Sequence, residues 1–63
     1  MFLFQVWRTG LGLTQQGAAE ALGLHLRTVQ RYDAGASTPR TIELACAYLE
    51  LRKRLQILVA EVV

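Results

Sequence analysis

The stretch "LTQQGAAEALGLHLRTVQRYDAG", Leu13 to Gly35, carries the spacing on which the fold turns. Thr14 is a good N-cap for a helix over Gln15–Leu22, and Gly23 follows where a helix-ending glycine belongs. A second helix runs from about Leu26 to Asp33 and stops before Gly35. Counting from Gln15, small or apolar residues fall at the fourth, fifth, eighth, tenth, fifteenth and eighteenth places: Ala18, Ala19, Leu22, Leu24, Val29 and Tyr32. A small residue at Ala19 lets the second helix cross closely over the first. Gly23, at the ninth place, supplies the positive φ that the connecting turn needs. The remaining apolar positions make the wedge of core that locks the two helices together.

Working outward, Leu3 to Thr9 reads as a first helix with Phe4, Trp7 and Leu11 facing inward. Gly17 sits inside the Gln15–Leu22 helix at a cost of about 1 kcal/mol relative to alanine. In "STPR", residues 37–40, Thr38 is placed to cap a last helix and Pro39 to occupy its first position. No glycine or proline follows. Leu44, Tyr48, Leu51, Leu55, Leu58 and Val62 then recur at intervals of 4, 3, 4, 3 and 4, a heptad-type stripe. The pattern predicts a helix over about 39–62, unbroken or bent into a fifth. Leu44 and Tyr48 are expected in the domain core. Leu51, Leu55, Leu58 and Val62 have little of the domain left to pack against, and a homodimer contact is expected there. The alternative is a C-terminal arm folded back on its own domain.

The chain has 63 residues, enough for a single domain over 1–63 near the lower limit of independent folding. Strand alternation is thin, so the expected class is all-α with four to five helices. Cys46 is the only cysteine, which excludes an intramolecular disulfide and fits a reducing cytoplasm. With His25 the only histidine, a four-ligand zinc site is also out of reach, and no cofactor is expected. No nucleophile stands with an evident base and no carboxylates pair around a cleft, so an enzyme is not expected. "MFLFQVW" lacks the basic start and cleavage site of a signal peptide. No apolar run approaches the roughly 20 residues of a membrane span. An apolar share of 52% is high for so small a protein and points to an oligomer.

The net charge is only +2, yet it is localised. Residues 1–24 hold Arg8 against Glu20, and residues 41–63 hold Arg52, Lys53 and Arg54 against Glu43, Glu50 and Glu61. The whole excess falls in residues 25–40, where Arg27, Arg31 and Arg40 face Asp33 alone. An anionic partner belongs there.

At this point the chain resembles a known family. "LTQQGAAEALGLHLRTVQRYDAG…P" is similar to the helix-turn-helix of the phage lambda repressor and Cro type, also called the XRE family. The likeness spans about residues 3–51, with the helix-turn-helix at about 14–33. Gln15 directly after the Thr14 cap, Asp33 two before the loop glycine, Pro39 opening the next helix and Arg8 seven before Gln15 all share in it. The resemblance implies a lambda-repressor-like DNA-binding domain in which Arg8 and Asp33 form a partly buried structural ion pair. It departs from the family at Ala18, where a larger aliphatic is usual, and at His25, a poorer cap than the usual Ser or Thr. The Gly35–Pro39 loop is short and uncharged, and residues 52–63 match no family signature.

With Val29 and Tyr32 inward, the other face of the Leu26–Asp33 helix carries Leu26, Arg27, Gln30 and Arg31. Arginine can bond both acceptors of a guanine edge, glutamine can pair with adenine, and leucine can touch a thymine methyl. The resemblance aligns these positions, with His25 beside them, to base contacts in the major groove of double-stranded DNA. Gln15 stands at a helix N-terminus that favours a phosphate. Ser37, Thr38 and Arg40 flank the start of the last helix and suit the other side of the backbone. The expected role is a homodimeric bacterial or phage transcriptional regulator, a repressor by operator occupancy. Two rivals use the same surface differently: an antitoxin, which adds a toxin partner at residues 52–63, and a protein-interaction adapter that has lost DNA binding.

Overall fold

The computed structural model of the chain describes residues 2–62, with side chains over 2–58. Four helices follow in order and no strand occurs among the described residues: α1, Phe4–Gly10; α2, Gln15–Leu22; α3, Leu26–Asp33; α4, Arg40–Val62.

The boundaries follow from local chemistry. Thr14 caps α2, its hydroxyl accepting from the Gly17 amide at 2.9 Å. Gly23 ends that helix in the left-handed conformation at φ +68°, and the Leu24 amide then reaches back to the Ala19 carbonyl. Gly35 ends the α3 segment in the same way at φ +104°. Gly17 has a local reason as well: a Cβ there would stand 3.2 Å from the capping Thr14 Oγ1.

The start of α4 differs from expectation. The Thr38 hydroxyl donates to Glu43 Oε1 at 3.3 Å instead of accepting a helix amide. The Pro39 carbonyl accepts from the Ile42 and Glu43 amides, so the helix opens one residue later, at Arg40. It then runs unbroken for 23 residues, about 35 Å at 1.5 Å per residue, which sets the molecule's 40 Å long axis.

The core is small and tight. Phe4, Trp7, Ala18, Ala19, Val29 and Cys46 are buried, with Leu22, Leu24, Tyr32, Ile42 and Leu49 packed against them. Aromatic rings make up much of the core's bulk: the Phe4 ring centroid lies 5.3 Å from that of Trp7 and 5.5 Å from that of Tyr32. The Trp7 indole N–H, which needs a partner once buried, donates to the Cys46 carbonyl at 2.9 Å and ties α1 to α4.

Two residues expected in the core are not there. Leu44 and Tyr48 are 59% and 62% exposed. The cause is rotational register. α4 packs through Ile42, Cys46 and Leu49, spaced 4 and 3, and this face lies opposite the Leu44–Tyr48–Leu51 face. The helix thus has two apolar faces, and the domain uses the narrower one. Among the described residues no helix is long and apolar enough to cross a membrane.

Candidate nucleic-acid interface

α3 sorts its residues sharply by face. Val29 is fully buried and Tyr32 half-buried, which turns Leu26, Arg27, Gln30 and Arg31 outward together. All four are exposed and lie at adjacent positions around one side of the helix. His25, also exposed, is the N-cap residue but makes no side-chain capping bond. Its carbonyl accepts from the Thr28 and Val29 amides.

Asp33, the acid at the end of α3, is already engaged. The Asp33 carboxylate receives Arg8 Nε at 3.0 Å, Arg8 Nη2 at 2.8 Å and Gln15 Nε2 at 2.9 Å. Burial alone would raise its pKa; hydrogen bonds from Arg8 and Gln15, with the Arg8 charge, outweigh that and hold the carboxyl below its ordinary range. Arg8 also donates to the Leu13 carbonyl at 2.9 Å, so one guanidinium links α1, the turn before α2, and the end of α3. Arg27 and Arg31 have no acidic partner among the described residues, and neither has Arg40.

The backbone-contact candidates are in mixed states. Gln15 is half-buried and commits its amide NH₂ to Asp33, which fixes the side chain at the start of α2. Its bond to Asp33 had no sequence signal beyond its place after the Thr14 cap. Ser37 and Arg40 are exposed, whereas Thr38 is half-buried against Glu43. Leu51, Leu55 and Leu58 are exposed on α4, and the side chain of Val62 lies outside the described residues.

Two members of the basic run Arg52–Arg54 are engaged within the chain. Lys53 Nζ donates to the Leu11 carbonyl at 2.7 Å, satisfying a free carbonyl at the end of α1, and Arg54 pairs with Glu50 one turn back at 2.9 Å. A cleft of about 610 Å³ lies between α1 and α4, walled by Leu3, Val6, Trp7, Leu11 and Ile57 among others; none of its lining comes from α3. Cys46 is buried, and desolvation, assisted by the Glu43 charge, pushes its thiol up to about 11. Among the described residues no three His, Cys, Asp or Glu gather as a metal site. Comparison with protein families, with curated proteins and with solved structures finds no match for this chain.

Proposed function

We propose that the chain is a sequence-specific double-stranded DNA-binding protein with a lambda-repressor-like helix-turn-helix formed by α2 and α3, acting as a homodimeric transcriptional repressor. One observation carries this reading. α3 presents Leu26, Arg27, Gln30 and Arg31 on a single exposed face, with both guanidiniums free of acidic partners among the described residues. A merely solvated polar face gains nothing from such an arrangement, whereas base edges in a major groove need it. Asp33, the nearby acid that would otherwise neutralise that face, is held inward by Arg8 and Gln15. Two such helices on a dimer would enter successive major grooves about 34 Å apart on a near-palindromic site.

Selection from random DNA at two salt concentrations supplies the operator and separates base from phosphate contacts. On that operator, Arg27→Ala should weaken binding by about 1–3 kcal/mol and relax one base position. An unchanged gel shift, or no enriched sequence at all, would sink the DNA-binding reading in favour of a protein-interaction adapter.

A further inference from the structure

We propose that a second copy of this chain docks in parallel along the outer face of α4, on a seam that starts at Leu44, inside the folded domain, and runs through Tyr48, Leu51, Leu55 and Leu58. The proposal deepens the homodimer named above by giving its surface and orientation, and it stands or falls without DNA.

Five side chains carry it. Leu44, Tyr48, Leu51, Leu55 and Leu58 are each 52–62% exposed, although four are leucines and the fifth is aromatic. Their spacing of 4, 3, 4 and 3 keeps them in one line on a helix that a neighbour can underwind against, the requirement for knobs-into-holes packing. The domain cannot cover them, because its own contact with α4 is spent on the opposite face, through Ile42, Cys46 and Leu49. Each side chain offers on the order of 100 Å², so two copies would cover about 1,000 Å², the lower bound for a specific association. Since the packed face points away from the seam, the two domains flank a pair of α4 helices without competing for the same space.

The length of the seam and the flanking charges together favour the parallel direction. In a parallel pair all five residues meet their counterparts, whereas no antiparallel register pairs more than four of them, and one such register also sets like charges side by side. On the heptad that places Tyr48 and Leu55 at one core position and Leu51 and Leu58 at the other, Arg52 and Arg54 border the seam on its two sides. An antiparallel pair that sets Tyr48 against Leu58 and Leu51 against Leu55 brings Arg54 beside Arg54 of the second copy, and Arg52 beside Arg52. Like charges so placed destabilise that arrangement. In a parallel pair Arg52 instead meets Ala47 of the second copy, and no guanidinium faces another. Arg54 keeps its bond to Glu50 on the same helix. Lys53, anchored on the Leu11 carbonyl, fixes the course of α4 as it leaves the domain.

The test uses the full chain without DNA. Sedimentation at micromolar concentration should give a dimer. Leu51→Asp combined with Leu55→Asp should raise its dissociation constant roughly 100-fold or more while far-UV helicity is retained. Should that variant lose its fold, oxidation of Leu55→Cys decides the matter. Parallel packing puts the two introduced thiols opposite each other within disulfide reach, and a covalent dimer should form, whereas Cys46, buried on the other face, should give none in the parent. A monomeric parent, a dimer untouched by the double substitution, or a disulfide formed only between Leu51→Cys and Leu55→Cys chains would each overturn the proposal. Arg27→Ala should leave the dimer intact, so failure of the seam and failure of DNA recognition give different results.

Discussion

Arg8, Gln15 and Asp33 make up a polar cluster that joins α1, α2 and α3 around this small core, and it is the residue-level feature with the clearest energetic consequence. Side chains of Arg8 and Asp33 are 13% and 8% exposed, so removing either leaves its partner short of charge compensation in a poorly hydrated site. Asp33→Ala should cost about 3 kcal/mol, a large share of the ~5 kcal/mol at the low end for a native domain. Because Asp33 titrates below its ordinary value in the folded state, its stabilisation is complete above the unfolded-state pKa near 3.8. It is lost as pH falls through the lower, folded value. Urea midpoints measured downward from pH 6 should therefore drop more steeply below pH 4 in the parent than in Asp33→Asn, which has no carboxyl to protonate. Parallel acid profiles for the two proteins would remove Asp33 from this role.

At the scale of elements, the turn between α2 and α3 depends on one backbone conformation. Gly23 adopts φ +68°, and a Cβ there would meet nothing within 4 Å, so the cost of replacing it is conformational alone. Gly23→Ala should lower stability by about 1 kcal/mol, read as a shift in urea midpoint without a change in slope. A change in slope would mean that the turn opens rather than strains. That turn, the Thr14 cap and the inward pair Val29 and Tyr32 were legible in sequence because each follows from a local rule with one solution. So was the exposed face of α3, which is what remains once the pair is buried. The rotation of α4 was not legible. Both Ile42–Cys46–Leu49 and Leu44–Tyr48–Leu51 have helical spacing, and the second continues unbroken through Leu55, Leu58 and Val62, so periodicity favoured it as core. The domain packs the first: Cys46 is fully buried in one cluster with Ala18, Ala19 and Trp7, whose indole bonds the Cys46 carbonyl, while the bulkier Tyr48 stays outside. The Arg8–Asp33 pair came from family likeness and holds in the structure, whereas the bonds of Gln15 to Asp33 and Lys53 to Leu11 depend on tertiary placement that no spacing encodes.

For the whole molecule, a net charge of +2 would ordinarily predict weak attraction to DNA. Distribution changes that expectation. Lys53, Arg54 and Arg8 are bonded within the chain, while of the four arginines without an acidic partner among the described residues, Arg27, Arg31, Arg40 and Arg52, the first three fall together within residues 25–40. On the proposed reading two of these three guanidiniums address bases, and Arg40, exposed at the first turn of α4, addresses a phosphate. The two kinds of contact leave different signatures in salt. Each phosphate contact given up removes about 0.9 from the slope of log affinity against log salt concentration. Arg40→Ala should therefore flatten the slope by about 1 for each copy bound, so by roughly 2 for a dimer, and weaken all sequences nearly alike. Arg27→Ala should instead narrow the gap between operator and random DNA, by about 1–3 kcal/mol for each copy bound. Fluorescence anisotropy titrations of both variants on operator and scrambled duplexes over several salt concentrations separate these effects. If Arg40→Ala alters preference and leaves the slope unchanged, then the start of α4 does not lie on the DNA backbone, and the docking proposed for α3 must be rotated about its axis.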